Sequence, residues 1–254
     1  MLVTVFVEGV AVDGDDGLSL RAVELLDVDP DLGRHVIPEK LERLRRALTV
    51  PAVEVRGEGF DPAAVLASGE NAFMAVVVSG LLAREVGVGT QPMLQLLGPG
   101  DAFNGSDVQS DVIDVEQSWS VVAPAQIALL DDRFLHAVRH CPRLMTGVVE
   151  RLLDRHDLTL LQLAIAQHPR VEERLLLLLR ILAERWGRVT PQGVHLDIGL
   201  THEALGRLVG ARRPTVTLAL RGLVGDGLVT RGRDRSWIVS LDEPAGPRLA
   251  LASG

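Results

Sequence analysis

The stretch Leu200–Val229, LTHEALGRLVGARRPTVTLALRGLVGDGLV, constrains this chain more than any other. Leu205 and Val209 sit four apart on a first short helix, and Val216, Ala219 and Leu223 recur at helical spacing on a second. Gly210 falls between them, where the chain must turn and a Cβ would resist the φ required. Gly206 is small where the first helix must let the second cross closely. Pro214 lies in the first turn of the second helix, where a missing N–H costs nothing. Two helices so spaced form a helix-turn-helix. A plain helical hairpin would share the apolar spacing, but not the small residues and arginines at these offsets.

Donors gather on the second helix. Arg212 and Arg213 open it, Thr215 and Thr217 follow, and Arg221 lies further along. Such an N-terminus suits the base edges and phosphates of a duplex. Gly227–Arg231 and Ser236–Ser240 read as two strands around Gly232-Arg233-Asp234-Arg235, a wing with an arginine-bearing tip. The expected DNA-contacting set is therefore Thr201, Arg212, Arg213, Thr215, Thr217, Arg221, Arg233 and Arg235. Arg213 and Thr215 are expected on the major groove or its phosphates.

Thr201–Val229 resembles the DNA-binding motif of the Crp/Fnr family of bacterial transcription regulators. The resemblance rests on Thr201, Gly206, Val209-Gly210, Arg213, Thr215-Val216, Leu220, Leu223 and Gly227-Leu228. Two positions depart. The family commonly follows the arginine at Arg213 with glutamate, where this chain has Pro214, and a second arginine is replaced by Leu218. The resemblance implies a homodimeric, sequence-specific regulator that binds double-stranded DNA in the cytoplasm, with RNA polymerase a further possible partner.

The net charge of −8 over 254 residues looks wrong for such a role, and its distribution resolves the conflict. Residues 200–240 hold seven arginines against Glu203, Asp226 and Asp234, a net +4, which leaves −12 for the rest. An acidic body with a basic end meets DNA in one orientation. An apolar content of 47% suffices for two cores, and no apolar run approaches a membrane span. The N-terminus lacks a basic region ahead of an apolar stretch, so a soluble protein without a signal peptide is expected. A single cysteine, Cys141, excludes an internal disulfide and a cysteine-held iron–sulfur cluster within one chain.

Upstream, Leu18–Leu26 and Pro38–Leu48 have helical spacing, and residues 1–17 form an extra strand or a loose tail. From Ala52 to Leu130 short apolar runs are broken by Gly, Pro, Asn and Asp. Ala72–Val78 and Leu81–Val86 flank Ser79-Gly80, a hairpin signal, and Ser118–Ala123 and Gln126–Leu130 flank Pro124-Ala125. The pattern predicts an antiparallel roll. Its order is similar to the family's cyclic-nucleotide-binding fold, with Gly98–Phe103 (GPGDAF) as the turn before the phosphate cassette.

The cassette does not match. Between Asp101 and Asp132, both included, stand seven carboxylates and no arginine or lysine. A cyclic phosphate placed there without a cation is desolvated without recompense, so control by cyclic AMP through the family's usual arginine is not expected. A cation would have to come from elsewhere, such as Arg84 on the neighbouring strand. If the roll holds a ligand, the carboxylates favour a cationic or neutral one, or a metal ion held by oxygen. The alternatives are a regulator controlled by a cyclic nucleotide or another small-molecule effector in the roll, a roll that senses nothing, and a haem-based sensor with His35, His136, His140 or Cys141 as axial candidates. No cofactor or metal is expected, and no nucleophile–base set, phosphate loop or metal-spaced cluster suggests an enzyme.

Pro142–Gln167 reads as one long helix with Met145, Val149, Leu152, His156, Thr159, Leu163 and Ala166 at alternating spacings of four and three. That is a coiled-coil seam, and the family places its dimer helix here. Leu153, Leu160 and Leu161 widen the stripe. His168-Pro169 ends the helix, and Val171–Trp186 starts a second domain. The expected architecture is α+β: a roll with flanking helices over 1–140, a dimerisation helix over 141–168, a winged helix-turn-helix over 169–242, and a tail over 243–254.

Overall fold

The computed structural model describes residues 20–57, 59–89, 91–232 and 236–240. Two compact units divide between Leu161 and Gln162. Residues 1–17, the tail after Leu241, and the wing-tip arginines Arg233 and Arg235 lie outside the described residues.

The first unit is built on one antiparallel sheet. Its strands are β1 (Leu20–Glu24), β2 (Thr49–Val55), β3 (Met74–Val88), β4 (Gln91–Leu97), β5 (Ala102–Phe103) and β6 (Val115–Leu130), in the order β1-β2-β6-β3-β4 with β5 on β3. Short helices α1 (Leu25–Val28), α2 (Pro38–Ala47) and α3 (Pro62–Ala67) intervene, and α4 (Asp132–His140) leads into the long α5 (Arg143–Ala166). The apolar runs of the sequence are explained by two cores on opposite faces. Val76, Ala128 and Leu130 pack with Leu25, Leu26, Phe134, Leu144 and Val148 on the helix-covered face. Val77, Ile127 and Leu129, one residue out of phase, pack with Phe60, Leu82, Leu97 and Phe103 inside the roll. A strand buried on both faces loses its apolar–polar alternation.

Three local expectations change. Leu20–Glu24 is a strand rather than the start of a helix, because it pairs with β2 from Leu20↔Val53 to Glu24↔Thr49; only Leu25–Val28 is helical. Ser79-Gly80 is no hairpin turn. β3 runs through it as one strand with bulges between Val77 and Leu82, and the long-range ladder to β6 outweighs the local turn signal. Gly80 has φ +83, and a Cβ there would lie 2.1 Å from the Pro124 carbonyl oxygen. Pro124-Ala125 likewise interrupts nothing, since β6 is continuous around it. The two turn signals face each other across the ladder and mark one bulged crossing, where a glycine admits the partner backbone.

The second unit holds α6 (Val171–Trp186), β7 (Arg188–Thr190), β8 (Gly193–Leu196), α7 (His202–Val209), α8 (Arg213–Gly225), β9 (Val229–Arg231) and β10 (Trp237–Val239). Its sheet order is β7-β8-β10-β9. Leu175, Leu178, Leu179 and Leu182 of α6 are buried, as are Leu205 and Val209 of α7 and Val216, Ala219, Leu220 and Leu223 of α8.

Candidate functional site

The helix pair α7–α8 is fixed by backbone contact. Thr201 caps α7, its Oγ1 accepting the Ala204 N–H at 3.1 Å. Gly210 ends α7 in the left-handed region at φ 64, and Arg174 of α6 donates from Nη1 to the Val209 carbonyl at 2.9 Å. The Ala211 N–H donates to the Gly206 carbonyl at 2.8 Å. A Cβ on Gly206 would meet the Ala211 carbonyl oxygen at 2.4 Å.

That crossing decides which face of α8 is free. Val216, Ala219, Leu220 and Leu223 turn inward. Arg213, Pro214, Thr215 and Arg221 are exposed, as is Arg212 just before the helix, and Leu218 is 67% exposed in the middle of this face. On α8 itself, Thr217 is the exception among the expected contacts. It is half-buried, its hydroxyl donating to the Arg213 carbonyl at 3.0 Å while its oxygen lies 2.9 Å from His202 Nδ1. His202 Nε2 in turn lies 3.0 Å from Nη1 of Arg231 on β9. Burial, then the charges of Arg231 and Arg213, hold the His202 imidazole below its ordinary pKa. The sequence reading missed His202 and Arg231 as site residues. Arg231 was visible as charge, but its link to α8 depends on the wing folding back.

The first unit holds a cavity of about 450 Å³, lined by Arg84, Gln95, Asn104, Arg155, His156 and Thr159 among others. Its charge differs from expectation. Among the described residues, the lining contains two guanidinium groups and no carboxylate. Antiparallel pairing sets Arg84 opposite Trp119, and α5 supplies Arg155. Asp107, one of the expected carboxylates, instead accepts a hydrogen bond from Gln117 Nε2. Arg84 is stacked 5.3 Å from the Trp119 ring centroid, and its Nε and Nη2 both donate to Gln117 Oε1, at 3.0 and 2.6 Å. Burial lowers the pKa of Arg84, opposed by Asp107. Arg155 donates to the Leu96 carbonyl at 2.9 Å and lies 3.5 Å from Asp101.

Along α5, Arg151 and Arg155 turn toward the roll together with the buried Leu144 and Val148. Arg151 pairs with Asp29, a carboxyl whose pKa burial raises against the pull of that arginine. Of the expected seam, Met145 packs on the roll core and Thr159 lines the cavity, where its Oγ1 accepts from Gln95 Nε2 at 3.4 Å. Val149, Leu152 and Leu163 are exposed at 46%, 43% and 50%, with Leu153, Leu160 and Leu161 beside them, and His156 is exposed too. Of the haem candidates, His35 Nε2 is bound to Glu150 at 2.6 Å, the His136 and His140 rings touch at a tilt of 49°, and Cys141 is buried in the core.

Residues 170–245 match the Crp-like helix-turn-helix domain. That match covers the second unit, whose helix-turn-helix is of the Crp-like type. A global nitrogen regulator of Synechocystis sp. is 33% identical over 111 residues, which cover 36% of this chain and 49% of that relative, so the match spans about half the relative's length. A global nitrogen regulator of Synechococcus elongatus is 24% identical over 216 residues, 83% of this chain and 90% of the relative. In fold, the chain is similar to a cyclic nucleotide-binding domain containing protein from Listeria monocytogenes, with TM-score 0.58, 16% identity, and coverage of 84% of this chain and 97% of that one. The fold held in common is a sheet-based N-terminal unit followed by the helix-turn-helix. No helix among the described residues is long and apolar enough to cross a membrane.

The Gly206–Ala211 approach carries a direct expectation. Gly206→Val should destabilise the second unit by ~1–3 kcal/mol through overpacking, read as a lowered melting temperature of the full chain by calorimetry.

Proposed function

We propose that this protein is a homodimeric, sequence-specific DNA-binding regulator of transcription of the Crp/Fnr type. The observation that carries the reading is the free face of α8, with Arg213, Pro214, Thr215, Leu218 and Arg221 outward over a buried apolar stripe. Arg213 and Thr215 meet the major groove or its phosphates, while Thr201, Arg212, Arg221, Arg233 and Arg235 hold the backbone. Thr217 acts from behind the face, through His202. Pro214 offers neither donor nor acceptor, and Leu218 is apolar, so both suit thymine methyl groups rather than base amino groups. The preferred half-site therefore differs from one read by glutamate and a second arginine.

The dimer reading is supported by α5. Leu144 and Val148 already serve the roll core, so the exposed Val149, Leu152, Leu153, Leu160, Leu161 and Leu163 form a second apolar stripe beyond what packing on the roll requires. A second copy laid along the same helix covers that stripe. RNA polymerase is a further partner in this reading.

A second reading, in which the roll takes a small effector, is favoured by the cavity beneath α5. Cyclic nucleotides are poor candidates. A cyclic phosphate is held best by the bidentate edge of an arginine, and the Nε/Nη2 edge of Arg84 is engaged by Gln117. The two guanidinium groups favour a small neutral or anionic polar molecule over the cation expected from the segment's carboxylates.

Three outcomes follow. With a duplex selected from random sequence, Arg213→Ala should weaken binding by about 1–3 kcal/mol in a fluorescence titration; unchanged affinity would remove α8 from the groove. Leu152→Glu with Leu163→Glu should yield monomers by light scattering that bind DNA poorly, whereas a native monomer would sink the dimer. Calorimetric titration of the full chain with cyclic AMP and cyclic GMP should show no micromolar binding, and heat of binding with a change in DNA affinity would mean that Gln117 yields Arg84 to the phosphate.

A further inference from the structure

His202 opens α7 and joins Arg231 of β9 to Thr217 of α8. Counting protons fixes the roles in this contact. A guanidinium only donates, so His202 Nε2, 3.0 Å from Arg231 Nη1, accepts and carries no proton. The single hydroxyl proton of Thr217 goes to the Arg213 carbonyl at 3.0 Å. The Thr217 oxygen must then accept from His202 Nδ1–H, at 2.9 Å. The ring is the neutral Nδ1–H tautomer. A directed chain of hydrogen bonds thus runs from Arg231 on β9 through His202 and Thr217 to the first turn of α8.

Arg231 is exposed, yet it is held twice. Besides His202, its guanidinium lies 5.3 Å from the centroid of the buried Trp237 ring. The charged groups facing His202 are Arg231 from β9 and Arg213 from α8; its neighbour Glu203 on α7 is bound by Arg207 at 3.0 Å. Burial and these two cations keep the ring uncharged below its ordinary pKa of 6.5. Because the folded pKa is lowered, stability from the neutral ring is complete above about pH 6.5 and is lost as pH falls through the folded value.

We propose that neutral His202 is a positioning residue for duplex binding: it ties Arg231 of the wing to α8, so that the remaining guanidinium edge meets a DNA phosphate at a fixed place, and protonation releases it. The inference rests on the DNA-binding reading above. A pre-ordered arginine gives up less side-chain freedom when it meets a phosphate. A protonated ring would turn a donor toward a donor and set two cations side by side. Thr217 is spent as a hydrogen-bond donor, so it positions rather than contacts the duplex through its hydroxyl proton.

The test uses the full chain, a selected duplex, and the variants H202A, H202Q, R231A and the double variant H202A/R231A. H202A and R231A should each weaken binding roughly fivefold, with the double variant no weaker than either. Both should reduce the salt slope by about one. H202Q offers an amide donor to Thr217 and a carbonyl acceptor to Arg231, so it should restore affinity. Ring-nitrogen NMR of the native chain should show the Nδ1–H tautomer at pH 7.5, with a titration midpoint below 6.5. Native affinity should decline across that titration while H202Q stays flat at matched salt. An Nε2–H or charged ring at pH 7.5 overturns the network. Affinity that rises as the ring titrates makes His202 itself the phosphate ligand and also overturns it. If Arg213→Ala weakens binding but the His202 variants bind as the native chain does, only this inference fails; if no duplex is bound at all, both readings fall.

Discussion

The second unit depends on one backbone contact. At Gly206 the first helix comes so close to the turn that even a methyl group would strike the Ala211 carbonyl. The 2.8 Å hydrogen bond from the Ala211 N–H to the Gly206 carbonyl locks that approach. Side chains adapt by rotamer, but two backbones in contact leave a single crossing geometry. Everything that matters on α8 follows from it: which residues enter the core, which remain outside, and how far Thr217 turns toward His202. Arg174 completes the arrangement by satisfying a carbonyl at the end of α7 that has no partner within the helix.

The first unit solves a different problem. Its sheet is buried on both faces, so alternate residues of β3 and β6 feed two separate cores. The bulge at Gly80, opposite Pro124, lets both strands continue past what would otherwise end them. Continuity matters for the cavity, because Arg84 and its partners Gln117 and Trp119 lie beyond that point. The charge of the cavity is therefore set by strand register and by α5. The string of carboxylates that follows β5 does not set it.

α5 joins these arguments. Its roll-facing side carries Arg151 and Arg155, which meet Asp29 and Asp101 where water is largely excluded. Breaking such a pair from one side costs more than the pair contributes, since it strands a buried charge. The helix is thus held to the roll by Leu144 and Val148 in the core and by specific ion pairs, while Val149, Leu152, Leu153, Leu160 and Leu161 turn outward. Area left uncovered in this way is a liability for a solitary chain and an asset for an associating one.

By itself the sequence determined the elements whose signals are local. The spacing of Val216, Ala219 and Leu223, the small residue at Gly206, the turn at Gly210 and the position of Pro214 define the helix-turn-helix, and each appears where expected. The extents of α5 and α6 were legible for the same reason, since helical periodicity is written within a few residues of itself. Pairings between distant segments were decided only by the tertiary structure. Leu20–Glu24 is a strand because β2 is there to receive it, and Ser79-Gly80 is a bulge because Pro124 lies opposite. The cavity is cationic because Arg84 and Arg155, distant in sequence, converge on it. The link from Arg231 through His202 to Thr217 was likewise hidden, because a hydrogen bond across 29 residues leaves no period in the chain that makes it.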